Sequence, residues 1–200
     1  MAGFSQGVDP DLIRRARRGD RAALESLYRT YRDAVYTLAL RILDQRGAAE
    51  DVLQETFVEV LQKLSSLRDD VSLPGWIRSV AVNKCLMQLR SAWRRNGHSL
   101  EDAFAAGDDG LPDPVALRFG ARAEARVDLE TWLSALPPVS RAVLWLHDVE
   151  GFTHAEIGAL MERTESFSKS QLARAHARIL MLAGAAADEE ERCTPVSKTC

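Results

Sequence analysis

The side chains with the clearest chemical potential lie in residues 71–100, which contain five basic residues and no acidic one. Trp76 and Asn83 lie in the same stretch. Cations bind phosphates, an aromatic ring stacks on bases or wedges between them, and an amide can hydrogen-bond a base edge. This mixture favours contact with single-stranded nucleic acid, although a basic run by itself is usually a solvated helix face. The candidate residues are Trp76, Arg78, Asn83, Lys84, Arg90, Arg94 and Arg95.

An acidic set precedes this stretch in the chain. Apolar residues at helical spacing between positions 53 and 64 leave Asp51, Gln54 and Glu55 on the polar side of a predicted helix. Carboxylates on such a face can form charge-assisted hydrogen bonds with a basic protein surface. An acidic helix face is more often only solvated, so the prediction of a docking surface depends on the rest of the chain.

Residues 153–180 have the pattern of a helix-turn-helix. Thr153 and Glu156 form a capping box at the start of a short helix, and a longer helix with polar residues follows the turn. The second helix of such a motif lies in the major groove of DNA. Paired short helices also occur in many proteins that bind no DNA, so this segment alone leaves the question open. The candidate groups for base edges or phosphates are Ser168, Lys169, Gln171 and Arg174.

The cysteines and histidines form no catalytic or metal-binding pattern in the sequence. Cys85 lies on an apolar stripe and is predicted to be a core residue. Cys193 and Cys200 lie in an acidic tail and could form a redox or metal switch, but two thiols make an incomplete zinc site. We therefore expect no enzyme activity, no cofactor and no metal site built by this chain alone.

The elements that position these residues are predicted to be helices throughout. Apolar residues recur with a period of about 3.6 through most of the chain, and no alternating strand pattern is present. The predicted helices cover about 21–43, 53–64, 72–95, 125–136, a segment from 137, a short helix capped by Thr153, and about 166–183.

Composition divides this all-α chain into two small helical domains. Residues 1–98 carry 16 basic and 12 acidic residues, whereas residues 99–135 carry 3 and 8. Because the residues before position 125 are also rich in glycine, aspartate and proline, we expect a flexible acidic linker there. The predicted organisation is domain 1–98, linker 99–124, domain 125–184 and an acidic cysteine-containing tail 185–200.

The overall composition excludes several classes of protein. The chain has 200 residues, of which 46% are hydrophobic, too many for a mainly disordered protein. No apolar run approaches the roughly 20 residues of a membrane span, and the first residues contain no secretory apolar segment. Three cysteines make no disulfide framework. We therefore expect a cytoplasmic protein without membrane insertion.

Several of these segments together resemble the extracytoplasmic-function (ECF) sigma factors, of the sigma-70 family of bacterial RNA polymerase subunits. The likeness covers nearly all of residues 8–183, with the family's acidic linker between the two domains. The motifs are Ala49-Glu50-Asp51-Val52-Leu53-Gln54-Glu55-Thr56-Phe57, Trp76-Ile77-Arg78-Ser79-Val80-Ala81-Val82-Asn83, Leu136-Pro137-Pro138, Arg141-Ala142-Val143-Leu144, Glu150-Gly151-Phe152-Thr153, Glu156-Ile157 and Lys169-Ser170-Gln171-Leu172-Ala173-Arg174-Ala175.

The resemblance implies a role for each domain. The first, sigma domain 2, would bind the clamp helices of core RNA polymerase through Asp51, Gln54 and Glu55 and melt the -10 promoter element with the helix that begins near Trp76. In the family, the loop at 65–73 helps to form a pocket for a flipped base. The second, sigma domain 4, would contact the flap of the polymerase and read the -35 element as duplex. The partners are thus core polymerase, promoter DNA as duplex and non-template single strand, and, as a candidate, an anti-sigma factor.

Two features of the turn depart from the family pattern. The turn of the helix-turn-helix usually has a glycine and a small apolar residue where this chain has Glu162 and Arg163, and Phe167 replaces a threonine. The family pattern therefore does not predict the geometry of this turn or the specificity for the upstream element.

Two other functions compete with that of an alternative sigma factor. A stand-alone helix-turn-helix regulator would use the second domain alone and leave the acidic face and the Trp76 helix without a role. A helical interaction adaptor would need no basic stripe at all.

Overall fold

The computed structural model describes residues 4, 7–67, 72–95 and 125–193, with side chains up to 92 in the first part and over 130–183 in the second. The chain divides into two units, Met1–Gly107 and Asp108–Cys200. This division falls within the predicted linker 99–124, which lies outside the described residues. All regular structure in the described ranges is helical, which confirms the all-α prediction.

In the described part of the first unit, four helices form a bundle in which α2, α3 and α4 pack on one another. Helix α1 was not predicted from the sequence, because eight residues are too few to show a clear period. It begins where Asp9 accepts a hydrogen bond from the backbone N of Asp11 (2.9 Å) and Pro10 occupies the first turn. The helices are α1 (Pro10–Arg17), α2 (Arg21–Leu43), α3 (Arg46–Lys63) and α4 (Leu73–Arg95), with a 3-10 turn at Leu64–Ser66.

Phe57 and Cys85 both lie in the core of the first unit. Phe57 is buried and lies edge-on to the ring of Tyr28, with ring centroids 4.8 Å apart, as expected for a core residue. Cys85 is fully buried, which confirms its predicted place in the core, and burial raises the pKa of its thiol. The thiol therefore stays protonated and unreactive.

The second unit also consists of helices. Helix α6 continues into a π-helical turn at Trp145–Val149, and the predicted capping box of Thr153 and Glu156 starts α7. The last helix extends ten residues beyond its predicted end at 183, through an alanine-rich and glutamate-rich segment of high helix propensity. The helices are α5 (Ala125–Ser134), α6 (Pro138–Leu144), α7 (His154–Leu160) and α8 (Glu165–Cys193).

A buried arginine joins the first helices of this unit. Arg141 is 5% exposed, and its Nη1 donates to the carbonyl oxygens of Leu133 (3.4 Å) and Leu136 (3.5 Å). These carbonyls belong to the end of α5 and the turn after it, and that of Leu133 also accepts from the backbone N of Leu136 at 3.2 Å. Arg141 thus links the end of α5 to α6.

Candidate nucleic-acid and protein interfaces

The outer side of α4 carries a mixed aromatic, amide and basic surface. Asn83 is exposed, Met87 is 56% exposed, and Trp76 and Arg90 are half-buried. The intervals of 7, 4 and 3 residues place these four side chains on one stripe of the helix. Arg78 follows Trp76 by two positions and so lies on a different side of α4. The structure therefore brings together only part of the predicted set, and the side chains of Arg94 and Arg95 lie outside its description.

Lys84 faces α3 instead of this stripe. Its ammonium nitrogen lies 3.2 Å from Oε2 of Glu59 and 3.7 Å from Oε2 of Glu55, and its side chain is only 21% exposed. Hydrogen bonds from Lys63 and Lys84 hold the pKa of Glu59 below its usual range, although partial burial opposes the shift. The prediction that Lys84 contacts a phosphate is therefore revised, because its charge is engaged by carboxylates between the two helices.

The outer face of α3 combines acidic and apolar side chains. Asp51, Gln54 and Glu55 are all exposed, as a docking surface requires. Val58 (52% exposed) and Leu61 (56% exposed) continue the same face toward the end of the helix. Leu61 belongs to the apolar spacing between positions 53 and 64 and was expected to be buried, whereas Val58 lies outside that spacing; the structure exposes both. We call these five residues the α3 face.

The solvent side of α8 carries the two basic candidates of the second unit. Lys169 and Arg174 are exposed, at opposite edges of a surface otherwise made of small side chains. Lys169 lies 2.6 Å from Oε1 of Glu165, one turn earlier, in an exposed ion pair of little net strength. The small residues between the two cations are Ser166, Ser170, Ala173 and Ala177. We call this surface the α8 face.

Ser168 and Gln171, which were predicted to contact DNA, lie on the inner side of α8. Ser168 is fully buried with Oγ 3.0 Å from Nδ1 of His154, and Gln171 is 5% exposed and accepts a hydrogen bond from Ser140 (2.7 Å). Burial and these internal partners leave neither side chain able to reach a groove. The prediction for these two residues is therefore wrong.

The turn between α7 and α8 has an unusual backbone conformation at Glu162. This residue has a φ of 58°, the left-handed region in which a side chain is strained and glycine is not. The backbone N of Arg163 donates to the carbonyl of Gly158 at 2.8 Å, closing the turn. Glu162 therefore carries a backbone strain in this turn that a glycine would not have.

Replacing Glu162 by glycine is expected to stabilise the second unit by about 0.5–1 kcal/mol. Relief of left-handed strain exceeds the extra entropy that glycine loses on folding. Calorimetry of the full chain should show a higher unfolding midpoint. Glu165→Gly, the same change at the first residue of α8, is the matched control; it relieves no left-handed strain and removes the ion pair with Lys169, so it should lower the midpoint. Equal shifts of the unfolding midpoint in both variants would contradict the assignment of backbone strain to Glu162.

No metal centre is found among the residues with described side chains, where no group of three or more His, Cys, Asp or Glu side chains has the geometry to hold an ion. Cys193 ends α8, but its side chain and all of Cys200 lie outside the described part, so the predicted switch stays a prediction. In the described ranges, no helix has the length and apolarity that crossing a membrane requires.

The two units match two family models. Sigma-70 region 2 matches residues 27–95, from the middle of α2 to the end of α4. Sigma-70 region 4 matches residues 126–179, which include α6, α7 and the part of α8 that carries the α8 face. The two matches occur in the order expected from the sequence, and together they include all three surfaces described above.

Curated relatives and a solved structure agree with these matches. The chain is 30% identical to the ECF RNA polymerase sigma factor SigM of Mycobacterium tuberculosis, over 92% of this chain and 89% of the relative. It is 29% identical to the RNA polymerase sigma-H factor of Pseudomonas aeruginosa, over 88% and 94%. The sigma factor RpoE of Bartonella quintana, solved in complex with the anti-sigma factor NepR, aligns with a TM-score of 0.53 and 19% identity over 80% of this chain and 96% of that one.

Proposed function

Because this chain belongs to the ECF sigma factors of the sigma-70 family, we propose a distinct task for each of its surfaces in transcription initiation. The protein is an alternative sigma factor, which directs RNA polymerase to particular promoters. We assign core polymerase binding to the α3 face, promoter opening to the outer stripe of α4, and duplex reading to the α8 face. The corresponding parts are residues 1–98 and 125–184, with 99–124 as the tether.

The α3 face suits a basic, partly apolar partner surface. Asp51 and Glu55 supply charge that accelerates encounter and fixes the orientation of docking. Val58 and Leu61 supply apolar area, which is worth roughly 25 cal/mol for each Å² removed from water. Charge alone would make the complex strongly dependent on salt, so the apolar end of the face gives an affinity that persists at cellular ionic strength. The clamp helices of core polymerase are the proposed partner.

The stripe on α4 suits unpaired bases. Stacking of a base on an aromatic ring such as Trp76 is worth about 1–3 kcal/mol, comparable with the few kcal/mol needed to extrude a base. Asn83 can hydrogen-bond a base edge, Met87 offers apolar contact, and Arg90 can hold a phosphate. Bases captured in this way keep the strands apart by binding alone. The proposed role therefore requires no nucleotide hydrolysis and no catalytic residue in this chain.

The second unit is proposed to read the upstream promoter element. The small residues between Lys169 and Arg174 allow α8 to approach the floor of the major groove, while the two cations hold the phosphates on either side. A tether raises the effective concentration of this second contact once the first unit has docked. Neither unit then needs high affinity for DNA by itself.

The proposed compartment follows from the proposed partners. Because bacterial core polymerase and promoter DNA are in the cytoplasm, we infer that this protein acts there. The RpoE relative is described in complex with an anti-sigma factor, and we include such a regulator among the proposed partners.

The observation that carries the proposal is the presence of two chemically different exposed faces, on α3 and α4, within one unit. A stand-alone helix-turn-helix regulator needs neither. The test is to mix the purified chain with core polymerase and a randomised promoter library, select transcribed templates, and map unpaired thymines with permanganate. We expect a stable complex, an enriched two-part promoter and a reactive bubble at its downstream element. Specific binding of the free chain to duplex DNA without polymerase association would instead favour the regulator.

Arg90→Ala is expected to weaken promoter opening and to reduce the salt dependence of open-complex formation. One lost phosphate contact on a single strand lowers the slope of log K against log salt by about 0.7. Lys84→Ala is the matched control: it removes the same charge from the same helix, but from a side chain that lies off the outer stripe and faces Glu59 of α3. We expect its slope to be unchanged. If Lys84→Ala lowered the slope as much as Arg90→Ala, the revised role of Lys84 would be wrong.

A further inference from the structure

Three histidines and an aspartate of the second unit converge at the junction of three elements. His147 and Asp148 come from the π-helical turn after α6, His154 is the first residue of α7, and His176 lies on α8. The capping box fixes the start of α7 and thereby the position of His154. We call these four residues the histidine cluster; no role in promoter recognition or polymerase binding has been assigned to them above.

Short contacts link the members of the cluster in a chain. His147 Nδ1 donates to Oδ1 of Asp148 at 2.7 Å, and His176 Nε2 donates to Oδ2 of the same carboxylate at 2.6 Å. The rings of His147 and His154 stack with centroids 4.3 Å apart and planes 18° from parallel. His154 Nδ1 then lies 3.0 Å from Oγ of the buried Ser168. The chain of contacts therefore begins and ends on α8.

The two residues at which this series of contacts meets α8 lie on either side of the two cations of the α8 face. Ser168 and His176 are eight positions apart, about 12 Å along a helix. Lys169 and Arg174 lie between them, on the outer side of the same two turns. Any change that frees one end of the cluster therefore alters how these two cations are presented to DNA.

The surroundings of His154 disfavour a positive charge on its ring. His147 and His176 each use one ring nitrogen on Asp148. Among the described residues, His154 makes no such contact with a carboxylate; its ring stacks on that of His147, so a proton on His154 would set a positive charge against another imidazole. Burial, followed by the charges of His147 and Lys169, lowers the pKa of His154, and the carboxylates of Glu165 and Asp148 oppose this shift. The charged and titratable groups near His154 are thus His147 and Asp148 from the π-helical turn and Glu165, Lys169 and His176 from α8.

We propose that the histidine cluster positions α8 for duplex recognition and that protonation of His154 releases it, so that upstream-element reading weakens as the solution becomes acidic. The proposal rests on the proposed function of the α8 face. His154 is thus a positioning residue, because it affects DNA binding only through the position of α8. The recognition of one promoter element would then respond to proton concentration, while polymerase docking by the other unit would not.

The direction of the effect follows from linkage. An imidazole whose pKa is lowered in the clamped state binds its proton more readily when released, where the ordinary value is about 6.5. The clamp is therefore strongest above about pH 6.5 and weakens as the pH falls below that value. The largest possible effect, for a proton that binds only the released state, is a rise of about fourfold in the opening equilibrium between pH 7.5 and 6.0. Asp148, whose pKa lies below its usual range despite partial burial because His147 and His176 donate to it, stays ionised throughout this window.

The first test is independent of DNA. Ring titrations of the four histidines in the full chain by NMR should place His154 below the ordinary value. Amide exchange in residues 166–170, corrected for intrinsic rates, should show less protection at pH 6.0 than at pH 7.5, by up to about fourfold. His154→Asn, which keeps an amide where Nδ1 lies and does not titrate, should remove this difference. An ordinary His154 titration in the wild type, which requires no variant to fold, would overturn the proposal.

The second test uses polymerase holoenzyme on a promoter chosen in the selection experiment and on the same promoter with a scrambled upstream element. The wild-type preference for the intact element should fall, by up to about fourfold, between pH 7.5 and 6.0, and the His154→Asn preference should stay level. A level preference in the wild type would overturn the proposal. If instead neither protein prefers the intact element at any pH, the proposed function of the α8 face fails, while the NMR and exchange results still decide whether the cluster is a proton-responsive clamp.

Discussion

Replacing Asp51 by lysine is expected to lower the affinity of this sigma factor for core RNA polymerase by about 100-fold. Asp51 is exposed on the α3 face, one turn from Glu55, so its carboxylate is available to a basic partner. The substitution removes one charge-assisted contact and sets a cation against the same basic surface, a change that costs about 2–5 kcal/mol at a close charge pair. The site is clear of the core, so the fold should be unaffected.

The measurement is a titration of labelled full-length chain with core polymerase at two salt concentrations. Asp33→Lys is the matched control, because Asp33 is equally an exposed aspartate of the first unit but lies on α2, next to Arg32. Its affinity should change by less than about threefold, as expected for a charge at or beyond the rim of an interface. Equal losses in both variants would indicate a nonspecific charge effect, and no loss in Asp51→Lys would remove the α3 face from the polymerase interface.

The helical architecture was predictable because period and capping act locally. The apolar spacing in α2 and α4 continues over 23 residues each, long enough to identify the helix and its buried side. Helix α1 has only 8 residues, and its start depends on the cap at Asp9 more than on any period. The length of α8 was underestimated because charged residues continue a helix without the apolar repeat that marked its beginning.

The candidate sites were predicted less evenly, for two different reasons. The buried side of α8 could have been predicted from the sequence. If Leu172 and Ala175 face inward, Ser168 and Gln171, one turn before them, face inward as well. Ser168 and Gln171 were predicted to contact DNA because they can form hydrogen bonds, without regard to the side of the helix on which they lie. The pairing of Lys84 with Glu59 was not available, because it depends on how α3 and α4 pack. The same holds for the histidine cluster, whose members span 30 positions and meet only in the folded unit.

Gly158→Ala is expected to destabilise the second unit by about 1–2 kcal/mol and to abolish the preference for an intact upstream element. A methyl group at this position would lie 3.0 Å from the carbonyl oxygen of Arg163 and from the carbonyl carbon and oxygen of Thr164. These are backbone atoms, so α8 must move away from α7 to make room. Overpacking of this kind costs about 1–3 kcal/mol, offset in part by the higher helix propensity of alanine.

The control for this prediction separates the close approach from helix propensity. Gly47, on α3, has no atom within 4 Å of the added methyl group, so Gly47→Ala should stabilise the first unit by up to about 1 kcal/mol. Calorimetry of both variants gives the stability difference, and promoter competition with holoenzyme gives the preference. A stabilised Gly158→Ala protein would mean that the turn yields without cost. A destabilised one that still prefers the intact element would show that the spacing of α7 and α8, which the histidine cluster also spans, is not what sets duplex recognition.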